Sequence, residues 1–208
     1  MTIEHDLSFV HRFIPSPDAG APPLLLLHGT GGDENDLLEL GRTIAPDAAL
    51  LSPRGKVLEN GMPRFFRRLR EGVFDEDDVR RRANELAGFI DEARAAYGLA
   101  APVAVGFSNG ANIAAAVLAL RPDALAGAAL LRATVPLQDL PAADLAGRPV
   151  LLLSGAMDPM VPAASAARLA TLLEERGARV QHRTLPTGHG LTQSDVSLTK
   201  AWLAQHGE

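Results

Sequence analysis

The sequence predicts an α/β fold: a mostly parallel central sheet with helices on both faces and no separate lid domain. Three observations carry that expectation. Short apolar runs alternate along the chain with amphipathic or alanine-rich stretches of helical length. Leu24–Leu27 and Val150–Leu153 are apolar without alternation, as strands covered on both faces are. Loops rich in Gly, Ser, Asp or His follow several of these runs, at the strand ends where such sheets gather functional groups.

The chain has 208 residues, enough for one large core and few for two, so one domain over 1–208 is expected. With 47% apolar and 22% charged residues it has the composition of an ordinary globular protein. A net charge of −5 argues against nucleic acid and anionic membranes as partners. No apolar run is long enough to span a bilayer. The absence of cysteine excludes disulfides, thiolate metal sites and a cysteine nucleophile. Met1–Asp6 has neither a basic nor an apolar leader region, so no signal peptide is expected and the cytoplasm is the default location.

In chain order, Leu7, Phe9, His11 and Phe13 alternate and predict an edge strand. Pro15–Gly20 is a turn cluster. Leu24–Leu27 predicts a buried strand that runs into His28-Gly29-Thr30-Gly31-Gly32, whose glycines leave backbone N–H groups unobstructed. His28 itself reads as structural. Asp36–Ile44 predicts a short helix and Ala48–Leu51 a strand. Arg54–Phe74 shows no clear period and reads as a long irregular loop, a kind of segment that is often functional. Its Arg64, Phe65 and Phe66 suit a pocket with an apolar wall and a polar or anionic end; the alternative is buried phenylalanines and solvated arginines. An acidic turn at Asp75 or Glu76 opens a helix whose apolar face is Val79, Ala83, Leu86, Ile90, Ala93 and Tyr97, and Gly98 stops it. Arg80–Arg82 belong to its solvated side.

Val103–Val105 predicts a strand, and Ile113, Val117 and Leu118 on an alanine background predict a buried helix that Pro122 ends. Between them stands Gly106-Phe107-Ser108-Asn109-Gly110. A G-x-S-x-G between strand and helix is a nucleophile elbow, which lifts the serine over a helix N-terminus. Ala126–Leu131 and Pro149–Ser154 predict two more strands, separated by an irregular stretch with Val135-Pro136-Leu137. Asp158 lies in the loop after the second of these, and Pro162 starts the next helix. Val180, His182 and Thr184 predict the last strand, followed by His189 between Gly188 and Gly190. Thr192 and Asp195 suit a helix cap, with Val196, Thr199, Trp202 and Leu203 as the final apolar face.

Ser108, Asp158 and His189 thus follow the ends of three predicted strands. A serine hydroxyl needs a base to take its proton, His189 supplies one, and Asp158 fixes the imidazole tautomer. The N–H groups of Thr30 and Asn109 are placed to bind an oxyanion. Asp144 and Asp195 are the rival acids. Asp144 precedes its strand, at the wrong end, and Asp195 reads as part of a cap, so that Asp195→Asn should do little to activity.

At this point the chain resembles the phospholipase/carboxylesterase family of α/β-hydrolases, relatives of acyl-protein thioesterases, and is most similar to small bacterial carboxylesterases of the hydroquinone-associated type. The residues that carry the resemblance are Leu27–Glu34, Ser52–Gly55, Glu59–Phe66, Glu71–Asp75, Gly106–Asn112, Asp158–Pro162 and Gly188-His189. It implies ester hydrolysis without metal or cofactor, by Ser108, Asp158 and His189. It also implies that Arg54–Phe74 borders the site. Leu137 and Met160 join Arg64, Phe65 and Phe66 as expected pocket residues. The substrate is expected to be a small soluble ester and the protein a monomer or homodimer. An acyl thioesterase or lysophospholipase-like hydrolase on the same triad, and a non-catalytic ligand-binding protein, are the alternatives.

Overall fold

Alternate residues of each central strand belong to different cores, and this sets the layers. The computed structural model describes residues 6–16 and 21–206. The chain runs β1 (His11–Ile14), β2 (Leu24–Leu27), α1 (Leu38–Ile44) and β3 (Leu50–Pro53). Four short strands follow: β4 (Val57–Glu59), β5 (Met62–Arg64), β6 (Arg68–Arg70) and β7 (Val73–Phe74). Then come α2 (Glu76–Tyr97), β8 (Val103–Phe107), α3 (Asn109–Leu120) and β9 (Gly127–Leu131). The chain closes with β10 (Pro149–Gly155), α4 (Ala163–Glu174), β11 (Arg179–Leu185) and α5 (Gln193–His206).

Seven strands form the main sheet in the order β1-β3-β2-β8-β9-β10-β11. Only β1 is antiparallel, pairing His11 with Pro53 and Ile14 with Leu50; the other neighbours run parallel. Leu25, Leu27, Ala104 and Leu152 face the larger core, which α2, α3 and α4 cover. Leu24, Leu26, Val103, Val105, Leu151 and Leu153 face the other, shared with Ile44 of α1 and Trp202 of α5. This follows from the two-residue period of a strand. Each leucine so buried contributes about 1.5–3 kcal/mol relative to exposure. No described helix is long and apolar enough to cross a membrane.

Helix α2 begins where its sequence directs. Asp75 Oδ1 accepts the Asp78 N–H at 3.1 Å, acidic residues fill the first turn, and Gly98 ends the helix at φ 67°. Arg81 and Arg82 pair with Asp78 and Glu85 along its surface. The turn cluster expected at Pro15–Gly20 lies partly outside the described residues, as do residues 1–5.

One expectation is corrected. The segment from Arg54 to Phe74 is not irregular but holds two hairpins, β4–β5 and β6–β7. The first turns on Asn60-Gly61, both at positive φ (53° and 80°), which two-residue hairpin turns require. Strands of two or three residues leave too little alternation for periodicity to register, so the Asn-Gly dipeptide was the available signal.

Where α3 crosses β2 and β8, two glycines leave no room for a side chain. A Cβ on Gly110 would lie 2.0 Å from the Leu27 carbonyl oxygen, and one on Gly106 2.6 Å from that of Gly110. Both obstacles are backbone and cannot swing aside. Gly110→Ala is therefore expected to lower stability by roughly 1–3 kcal/mol or more, measured as a shift in the urea midpoint at unchanged slope.

Candidate active site

Ser108 joins β8 to α3 at φ 53° and ψ −112°. A non-glycine residue there stores strain of about 1–3 kcal/mol. The strain is held because Val103–Val105 is locked into the sheet, the Ser108 N–H is fixed to Leu131 O at 2.8 Å, and α3 is buried behind it. Asp158 lies in the loop after β10 and His189 in the loop after β11, so all three side chains emerge at the carboxyl ends of strands.

The structure brings these three together. His189 Nδ1 donates to Asp158 Oδ2 at 2.8 Å, which leaves Nε2 to accept the Ser108 hydroxyl at 2.9 Å. The Asp158 carboxylate has no exposed side-chain surface. Burial opposes its charge, but hydrogen bonds from His189 and from the Met160 and Val161 N–H groups outweigh that and hold its pKa below the usual carboxylate range. Thr30 and Asn109 border the same cavity as Ser108. Among the described residues, neither of their N–H groups donates to a protein acceptor.

His28 is structural, as its position suggests. It is 1% exposed, its Nδ1 donates to Gly29 O at 2.7 Å, and its Nε2 accepts the Gly55 N–H at 3.0 Å. It thereby ties the Thr30 loop to the start of the hairpins. Burial pushes its pKa down, and that of His182 as well.

Arg132 is a residue that sequence reading missed. It is fully buried, at φ 59°, and all five of its side-chain N–H groups have acceptors. Nη1 and Nη2 grip Asp195 at 2.7 and 2.9 Å. Nη1 also reaches Leu153 O, while Nε and Nη2 donate to Gly188 O at 3.0 Å and Gly190 O at 3.1 Å. The last two carbonyls flank His189. Asp195 does cap α5, accepting from the Thr192 N–H and hydroxyl, and it also pairs with the buried Arg132 cation, a contact the sequence did not suggest. Asp144 takes no part: it is exposed and accepts the Ala146 N–H.

Ser108 opens into a cavity of about 250 Å³. Arg64 and Met160 border it, as expected. Phe65, Phe66 and Leu137 do not: they are 2%, 0% and 0% exposed and belong to the larger core. The phenylalanines sit between the two hairpins, where Phe65 packs on His28 and Phe66 packs edge-on against Phe74. Phe74 is the phenylalanine that borders the cavity, which Arg68, Asn112, Thr134, Val161, Pro162 and Ser165 also line. Asn112 had a signal, since it lies one helical turn beyond Ser108 on the same face. Thr134 and Ser165 had none. Among the described residues, no group of three or more His, Asp or Glu is arranged to hold a metal ion.

The family model described as Phospholipase/Carboxylesterase matches residues 11–206. A hydrolase of Bacillus subtilis (strain 168) named MhqD is 49% identical over 181 residues, covering 86% of this chain and 90% of that protein. The crystal structure of the Bacillus cereus carboxylesterase is 45% identical with a TM-score of 0.94, over 97% of this chain and 96% of that one. The structure of YahD with malic acid is 28% identical with a TM-score of 0.88, over 99% of this chain and 100% of that one.

Two expectations follow from the buried polar groups. Asp195→Asn leaves Arg132 a buried, unpaired cation and should cost about 3–5 kcal/mol in chemical denaturation, whereas Asp144→Asn should cost little. The second concerns pH. His28 has a folded pKa below its unfolded value of about 6.5, so the stability it contributes is complete above that pH and is lost as pH falls below it. The melting temperature should drop between pH 7 and pH 5, and drop less in His28→Gln.

Proposed function

Because the chain belongs to the phospholipase/carboxylesterase family and has the α/β-hydrolase fold, we propose that it is a serine carboxylesterase that cleaves small soluble esters through an acyl-enzyme on Ser108. The observation that carries this is the pair of hydrogen bonds from Asp158 through His189 to Ser108, at 2.8 and 2.9 Å. As His189 Nε2 takes the hydroxyl proton, Ser108 Oγ attacks the ester carbonyl carbon. Asp158 holds the imidazole tautomer and stabilises the imidazolium. The carbonyl oxygen becomes an oxyanion between the Thr30 and Asn109 N–H groups; one such donor is worth about 3–4 kcal/mol in the transition state. Collapse breaks the C–O bond, and the imidazolium gives its proton to the departing alcohol. A water then repeats the sequence on the acyl-enzyme, releasing the acid and restoring Ser108.

The cavity supports a small substrate. About 250 Å³ lies below the range of about 300–1,000 Å³ typical of sites for drug-sized ligands, which suits a short ester. The malic acid of the YahD structure is a ligand of this size class.

Ser108→Ala should fold normally and lose on the order of 10⁴–10⁶ in kcat on p-nitrophenyl butyrate. Asp158→Asn should keep its reactive serine yet turn over far more slowly. Near-normal turnover by a folded Ser108→Ala protein would exclude this mechanism.

A further inference from the structure

The hairpin side of the cavity holds more positive charge than the protein neutralises. Arg64 is 3% exposed and borders the cavity. Its Nε donates to Phe66 O at 3.2 Å, and its Nη1 lies 3.2 Å from Glu59 Oε2. Glu59 is committed elsewhere, since its Oε1 accepts from Arg68 Nε at 2.8 Å and lies 2.7 Å from Arg68 Nη2. Arg68 borders the cavity too. Two guanidinium groups therefore share one carboxylate. Among the described residues, no acceptor meets Arg64 Nη2. Glu71 is the other acid at the cavity, but it is exposed, where water and salt screen it. Burial disfavours the Arg64 charge, Arg68 adds to that, and Glu59 offsets it only in part. A guanidinium nonetheless stays protonated in proteins, so the excess charge persists and awaits a partner.

We propose that Arg64 and Arg68 form an anion subsite, and that the ester attacked by Ser108 carries a free carboxylate. This rests on the serine-esterase reading and names its substrate class. A carboxylate matches the planar fork of a guanidinium. Because both arginines share one small cavity with Ser108, the carboxylate lies only a few bonds from the ester, and Phe74, Val161 and Pro162 offer apolar surface to the spacer. Hydrolysis consumes one water. It yields either a dicarboxylic acid and an alcohol, or a monocarboxylic acid and a hydroxy acid, according to which side bears the charge.

The test compares kcat/KM within two matched pairs, the enzyme-free rate being subtracted. One pair is mono-p-nitrophenyl adipate and its methyl ester, which differ in charge on the acyl side. The other is the butyryl ester of glycolate and the methyl ester of that compound, which differ on the alcohol side. The charged member should be preferred roughly ten-fold or more in at least one pair. Arg64→Gln and Arg68→Gln should each reduce that ratio, and Glu59→Gln should raise it. An arginine that only supports the hairpin would lower both members alike and leave the ratio in place. If Arg64→Gln does not fold, the opposite shifts of Arg68→Gln and Glu59→Gln still decide. No preference in either pair, or a preference that ignores these substitutions, overturns the subsite when a fluorophosphonate still labels Ser108. Failure of that labelling, with no turnover of any of the four esters, overturns the esterase reading instead.

Discussion

A guanidinium sealed in the interior has no water to fall back on, and the arrangement of the site follows from how Arg132 is satisfied. Its five donors bind Asp195, Leu153 O, Gly188 O and Gly190 O. In one stroke these contacts join the end of β9, the end of β10, the His189 loop and the first turn of α5. Burying an ion pair is not in itself a source of stability, since desolvation offsets the attraction. What the pair supplies is geometry. The carbonyls on both sides of His189 are held from beneath, so the imidazole stands where both of its nitrogens find partners. The small residues around it contribute no side chains that could do this.

Three aspartates near strand or helix ends have three different fates, and environment alone separates them. Asp158 keeps its charge through N–H groups from the His189 ring and two backbone amides. In the proposed mechanism those partners leave it free to meet an imidazolium. Asp195 faces a permanent cation with both oxygens and also caps α5. Asp144 binds one local amide in solvent. The residue type is the same, and only the first environment matches the role proposed for Asp158.

Much of this was legible in the sequence. Unbroken apolar runs marked the central strands, because burial on both faces removes alternation. Ser108, Asp158 and His189 were legible because each carries its own local signature of turn residues after a strand. Arg132 and Asp195 were not, since a pairing between residues 63 positions apart leaves no local pattern, and each looked like an ordinary loop or cap residue. Phe65 and Phe66 misled for a related reason. Two adjacent aromatics in a segment without period look available for ligand contact, yet both fill space between the hairpins, and the later Phe74 reaches the cavity. The direction in which a short segment folds back is a tertiary fact that composition does not encode.

The hairpins are fastened to the body in an asymmetric way. His28 Nε2, Asn109 Oδ1 and Asp78 Oδ2 accept backbone N–H groups of Gly55, Phe65 and Arg67, while Pro63 O accepts the Gly31 N–H. The body contributes side chains to three of these four bonds, and the hairpin segment contributes only main chain to all of them. The side chains of Arg68 and Phe74, which border the cavity, take no part in these four bonds, so replacing them leaves all four in place. The wall that faces the cavity and the bonds that seat it on the body are thus made by different atoms of one segment.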